Sequence, residues 1–302
     1  MKSFLLILRL SCGGLLVSVA AMVATGAEFT LESASQAAEQ GQAEAQYFLA
    51  RSFARGLGVH QDYSKAARYL RDAAQQGYAR AENDLGALYA RGLGVPQDFE
   101  EAAIWYLKAA QHRDSLAQFS AGTIYWFGRG VSRDVKKAVE WYRQAAEQGQ
   151  PDAQSALGEI YFRGAEGIGK DYTEAIKWLK QAATGGRIDA LNTLGVMHEN
   201  GLGVPCDLAE AVKCFREGAE LGDPKAQMNL GRMYQTGSGV PKDLIEAYKW
   251  YQLSLAKGDV VAAHNLKEPD MLMGLTTNQI VEGKRRIQEF VPKLATENHE
   301  PH

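Results

Sequence analysis

The chain predicts an all-α solenoid of about six helical hairpins closed by a C-terminal capping helix, and three observations predict it. The stretch Ala81 to Asp98, AENDLGALYARGLGVPQD, recurs six times with drift. Its Leu-Gly mark falls at Ala50, Gly86, Gly122, Gly158, Gly195 and Gly231, spaced by 36, 36, 36, 37 and 36 residues. Within each copy two apolar stripes at helical spacing flank a glycine turn, so each hairpin buries its face only against its neighbours.

Composition agrees with a packed protein: 46% hydrophobic and 23% charged residues over 302 positions can fill a substantial core, which argues against extended disorder. A net charge of -3 carries no basic excess, so the bulk footprint of nucleic-acid binding is missing.

At the N-terminus, Lys2 and Arg9 precede an apolar run from Leu10 to Val23 and the small residues Ala24-Thr25-Gly26-Ala27. That layout predicts a secretory signal peptide over 1–27, cleaved after Ala27, with cleavage after Gly26 or Ala20 left open. An uncleaved inner-membrane anchor is the alternative, although Arg9 interrupts the span. Cys12 makes a poor lipidation site, because most of the apolar run follows it. Cleavage leaves Cys206 and Cys214 in an oxidising compartment, where a disulfide must be considered. Helical spacing holds them roughly 12 Å apart, beyond the ~7 Å that bridging allows. Cys214 shares its column with Trp105, Trp141, Trp178 and Trp250 and reads as a small core residue.

Residues 28–42 form a lead-in with a partial helix at Ala34, Ala37 and Ala38. Six repeats and a half repeat follow over 43–266. In the first helix of each copy the buried stripe is Ala81, Leu85, Leu88 and Tyr89 or its equivalents, with a small residue at the Gly86 column to let the paired helix approach. Turns such as GLGVPQD and GRGVSRD use glycine to reverse the chain, and Asp62, Asp98, Asp134, Asp171, Asp207 and Asp243 are expected to N-cap the second helices. Glu101, Glu174, Glu210 and Glu246 stand three residues later, where they would complete capping boxes. The recurrence of these glycine pairs, with no strand before them, makes them turns and not phosphate loops. Ala102, Trp105, Ala109 and Ala110 carry the face of the second helix. Glycine closes that helix in five copies, with Arg113 in its place in the second. Repeat four is longer by one residue within GAEGIGKD, which puts an irregular loop after Gly164. Residues 267–294 form a capping region whose last helix opens at Thr276 and Gln279, bears Ile280, Ile287 and Phe290, and stops before Pro292. Residues 295–302 form a frayed tail.

The columns Ala81, Leu85-Gly86, Tyr89, Gly92-x-Gly94-Val95, Asp98, Ala102, Trp105 and Ala109-Ala110 resemble the Sel1-like repeat family over about 43–266. The resemblance implies a right-handed α/α superhelix related to tetratricopeptide repeats, used as an adaptor for protein complexes and often exported in bacteria. Ala50, Arg113, His198 and Cys214 depart from the pattern in single columns.

Some exported members of that family are described as binding or hydrolysing β-lactams, and Ser254-Leu255-Ala256-Lys257 is a literal SxxK. Ser254 nevertheless falls on the small-residue column of Ala109 and Ala145, and no SDN or KTG element accompanies it. His60, His112, His198 and His264 lack metal-ligand spacing, and His198 replaces a packed Tyr. No catalytic residue, metal site or cofactor is therefore expected.

Subtracting the core columns leaves three variable ones on the first helices, predicted to line a concave face. The candidates there are Tyr47, Arg51, Asn83, Phe119, Thr123, Trp126, Glu159, Phe162, Asn192 and Arg232. Aromatics gather around repeat three, as binding anchors do. Phe119 and Phe162 read equally well as fillers between repeats. The leading expectation is a non-enzymatic periplasmic or secreted scaffold holding a protein or peptide. An envelope glycan-binding protein, with Trp126 stacking on sugar rings, is the alternative, and a β-lactam hydrolase a distant third. No nucleic-acid partner is expected, and membrane contact only through an uncleaved signal segment.

Overall fold

A computed structural model describes residues 29–293, so the expected signal segment and the tail from 295 lie outside the described residues. Backbone contacts divide the chain into two units, one ending at Gln97 and the other beginning at Asp98. In the first unit, α1 (Leu31–Glu39) leads into α2 (Ala43–Arg55), α3 (Tyr63–Gln75) and α4 (Ala79–Arg91). Each packs on the next in order.

The second unit continues the same grammar through α5 (Phe99–Gln111), α6 (Ser115–Phe127), α7 (Val135–Glu147), α8 (Pro151–Arg163), α9 (Tyr172–Thr184), α10 (Ile188–Asn200), α11 (Leu208–Glu220), α12 (Pro224–Thr236) and α13 (Leu244–Ala256). It ends in α14 (Val260–Asn265), α15 (Pro269–Gly274) and α16 (Thr277–Gln288), with α14, α15 and α16 all packed on α13. The described residues contain no strand, only an isolated bridge between Ala165 and Ile168 in the long loop of repeat four. The expected all-α stack of hairpins is the observed fold within each unit.

Helix ends follow the sequence closely. Each of the six repeat aspartates accepts a backbone N–H from the first turn of its helix; Asp98 Oδ1 takes two, at 2.9 Å from Glu100 and 3.0 Å from Glu101. The glutamates do not close capping boxes. Glu101 and Glu174 instead accept the indole N–H of Trp105 and Trp178 four residues on, both at 2.9 Å. Glu210 accepts from Lys213, and Glu246 from Lys249 and Arg286. A full charge beside a buried indole donor makes a stronger bond than the helix's own N-terminal N–H, which water can satisfy.

Two kinds of glycine set the packing. At Gly122 an added Cβ would sit 2.5 Å from the Tyr142 ring of the paired helix, and at Gly195 2.5 Å from Phe215, so the small column admits the facing aromatic. At Gly130, with φ +74°, a Cβ would fall 1.8 Å from the Phe99 carbonyl oxygen, so the turn of one repeat presses on the start of the preceding second helix. Arg113 adopts φ 61° where other repeats have glycine, a left-handed backbone that costs a side-chain-bearing residue about 1 kcal/mol. The Thr276–Gln279 capping box forms as expected.

Candidate functional site

The first-helix columns lie where the repeat pattern puts them, but most of their residues are occupied. In the first unit, the Tyr47 ring packs on Tyr78 at 5.2 Å and lies under the Arg51 guanidinium at 5.8 Å. Its hydroxyl bonds to Asp84, and burial, followed by that carboxylate, pushes the Tyr47 pKa up to about 12. Burial also raises Asp84 above the ordinary carboxylate range. Asn83 is 6% exposed, so it is packed inside and is not displayed to a ligand.

In the second unit, α6 and α7 bring Phe119 and Tyr142 to 5.5 Å, and the Tyr142 hydroxyl donates to Thr123 Oγ1. Phe119, Trp126 and Phe162 all sit half-buried against the core of repeats three to five, with Phe162 6.2 Å from Tyr172. Trp126 is thus more enclosed than a column that also holds Glu199 and Gln235 suggests.

From repeat four onward the same columns form a ladder of polar ties from one repeat to the next. Thr193 donates to Glu159 at 2.5 Å, which also takes Arg163 Nε at 2.6 Å. Ser155 donates to Asp189 at 3.1 Å, and Asn229 to Asn192 at 2.8 Å. Arg232 grips Glu199 with two bonds of 2.8 and 2.7 Å, and the carboxylate side chain is only 18% exposed. Asp189 keeps a lowered pKa: burial pushes it up, but the bonds and charge of Arg187 and the Ser155 hydroxyl outweigh it. Glu159, Asn192 and Arg232 are therefore ties between repeats.

Exposed apolar side chains lie at the two ends of α6, and again on the C-terminal helices, where Val260, Val261, Met273 and Val281 are open. Phe127 is 58% exposed and Leu116 48%, and the Arg129 guanidinium lies over Phe127 at 5.1 Å and over Phe99 at 5.9 Å. The sequence put Phe127 near the aromatic cluster but not in the candidate columns, because it occupies the last helical position, where Arg91 and Arg163 stand in other copies. A second recurrence also went unread: Gln46, Gln118, Gln154 and Gln227 are buried, and Gln46, Gln154 and Gln227 donate to the carbonyls of Ala38, Ala146 and Ala219 in the preceding helix.

Nucleophile chemistry finds no footing at the SxxK. Ser254 is fully buried and donates to the Pro224 carbonyl at 2.6 Å, while Lys257 donates to the Gly222 carbonyl. Among the described residues Cys206 and Cys214 are free, with Cys206 exposed and Cys214 buried, and burial pushes the Cys214 thiol up to about 11. Among the described residues no His, Cys, Asp or Glu cluster could hold a metal ion, and no helix is long and apolar enough to cross a membrane.

Comparison with known proteins agrees with this architecture. The Sel1 repeat matches at residues 43–78, 79–114, 115–150, 151–186, 188–223 and 224–259. Among solved structures, a Sel1 repeat protein from Oxalobacter formigenes is 32% identical, with a TM-score of 0.70 over 85% of this chain and 99% of that one. A protective antigen of uropathogenic Escherichia coli with an SLR fold is 26% identical over 90% of this chain and 74% of its own, with a TM-score of 0.39. An immunity protein from Pseudomonas aeruginosa is 21% identical over 78% and 87% respectively, with a TM-score of 0.46. No curated protein matches the chain. Six matched repeats and the Oxalobacter likeness, in an arrangement used generally for protein interaction, lead to one conclusion: the chain belongs to the Sel1 repeat family.

Proposed function

We propose that the protein is an exported, non-enzymatic scaffold that holds a protein partner on the surface of repeat three. The observation that carries this reading is the exposed Phe127 at the end of α6, next to half-buried Trp126, with the Arg129 guanidinium lying over both Phe127 and Phe99. Aromatic residues backed by arginine and set in a polar surround are the usual anchors of an interface. The N-terminal layout of Lys2, Arg9, the apolar run and Ala27 supports the export.

Crosslinking in intact cells, followed by titration of the captured protein, tests the reading. Phe127→Ala should leave the thermal melt unchanged and weaken the partner by about tenfold or more. Unaltered affinity removes repeat three as the docking surface. Mass spectrometry of the mature chain should find its N-terminus near Glu28; a chain retaining residues 1–27 in the membrane fraction would replace export with anchoring.

A further inference from the structure

The turns that join the two helices of each repeat share one template, but they do not share one charge. In repeat two the stretch GLGVPQDFEE carries Asp98, Glu100 and Glu101 and no base. In repeat three the same stretch, GRGVSRDVKK, carries Arg129, Arg133, Lys136 and Lys137 against Asp134 alone, and in no other copy do bases outnumber acids. This basic turn stands in a chain whose net charge is -3.

Within the second unit the turn continues the exposed end of α6. The Arg129 guanidinium lies over the Phe127 and Phe99 rings, and among the described residues its side chain makes no hydrogen bond and no ion pair, not even with Glu100 beside Phe99. Arg133 runs against Gly128, where an added Cβ would lie 3.1 Å from its own, and donates Nε to the Trp126 carbonyl at 3.1 Å. Its Nη1 meets Glu166 at 2.6 Å, in a pair whose side chains are both more than half exposed. Such a pair is worth little, so Arg133 can exchange Glu166 for another carboxylate. A guanidinium stacked on rings is fixed in direction before a partner arrives, and its planar fork fits a carboxylate with two parallel bonds. The open Phe127 ring beside it calls for an apolar side chain. A polypeptide supplies both on neighbouring residues, whereas an acidic polysaccharide surrounds its charge with hydroxyls.

We infer that the turn of repeat three binds an acidic segment of a protein partner, with side-chain carboxylates on Arg129 and Arg133 and an apolar side chain on Phe127. The inference deepens the protein-binding reading and rests on it for the nature of the occupant. Ligand-observed NMR on the full chain tests it, with the peptide N-acetyl-Glu-Phe-Glu-Glu-amide, its counterpart bearing Gln for every Glu, and oligogalacturonate as a sugar acid. The acidic peptide should bind about tenfold more tightly than the Gln peptide, the difference expected of two exposed charge pairs. Arg129→Gln should weaken the acidic peptide about fivefold while leaving the thermal melt and the Gln peptide unchanged. Phe127→Ala should weaken both peptides.

Equal binding of the two peptides, no binding of the acidic one, or an unchanged affinity in Arg129→Gln overturns the inference. Oligogalacturonate held as tightly as the acidic peptide also overturns it, and makes the turn a site for sugar acids. A chain that loses its crosslinked partner in Phe127→Ala but keeps it in full, and at any salt concentration, in Arg129→Gln retains the repeat-three interface and loses the acidic occupant. A chain whose acidic-peptide binding depends on Arg129 while Phe127→Ala leaves its partner untouched keeps the acidic site and loses repeat three as the place where that partner docks.

Discussion

The two tryptophan columns of the second unit behave differently, although both are helical stripes of the same repeat. On the second helices, Trp105 and Trp178 are 8% and 3% exposed, and each indole is tied to a glutamate one turn earlier. On the first helices, Trp126 shares its column with Phe162, Glu199 and Gln235. The first column is tryptophan except at Cys214 and serves packing, with the indole tied to a glutamate at Trp105 and Trp178. The second changes chemistry with each repeat and still joins neighbouring repeats, by ring packing at three and four and by ion pairing at five and six. Variation along a column therefore marks a change in how the repeats are held together, and not freedom from that task.

The largest expected effect is at the uniform column. Trp178→Ala should cost about 3–5 kcal/mol in thermal or denaturant melts, as large core truncations do. Trp126→Ala, at a half-buried site, should cost about 2 kcal/mol; an equal loss in the two variants would erase the contrast. Arg232→Ala leaves the nearly enclosed Glu199 carboxylate without its partner and should cost about 1–2 kcal/mol. The double variant with Glu199→Gln should recover much of that loss, and simple additivity would show that the pair is not a tie. Asp134→Ala removes a cap common to every repeat and should cost about 1 kcal/mol, with Asp243→Ala matching it.

The smallest effect concerns Asp84, the half-buried acid next to the candidate Asn83. Burial raises the Asp84 pKa in the folded state, so folding favours its protonated form. The sign is the reverse of a salt-bridged aspartate. Stability from this group is full below the unfolded pKa and falls as pH rises through the folded one. Asp84→Asn should flatten that fall and raise stability at neutral pH relative to acid, read from melts across the acidic range. A variant whose stability runs parallel to the parent at every pH would show that Asp84 keeps an ordinary pKa.

The sequence made the hairpins legible because each turn repeats two local requirements: glycine at a left-handed helix end and aspartate at a helix start. Both can be read without knowing what lies across the fold. Arg113 was legible for the same reason, as the residue standing in a glycine column. The glutamates were misread because the capping box is a local rule, while Glu101 and Glu174 answer an indole one turn further on and Glu210 and Glu246 answer lysines. Asn83 and the ladder from Ser155 to Arg232 were not legible, since partners such as Glu199 and Arg232 lie in different columns of successive repeats. Finding them needs the rotation between neighbouring helices, which a period alone does not give. The buried glutamines could have been found, because the column Gln46, Gln118, Gln154 and Gln227 recurs at the repeat period.

In the last repeat the glutamate has changed partners. Glu246 accepts Arg286 from α16 at 2.6 Å and Lys249 at 3.3 Å, and the buried Trp250 indole N–H is left with no acceptor while its ring meets Phe290 edge-on at 5.2 Å. Release of α16 would break the Arg286 pairs with Glu246 and Asp243 and allow another bond, since Glu246 could return to the indole as Glu101 and Glu174 do. The terminal helix is thus fastened by an exchange, and its departure exposes less unmet hydrogen-bonding demand than the broken ion pair alone implies.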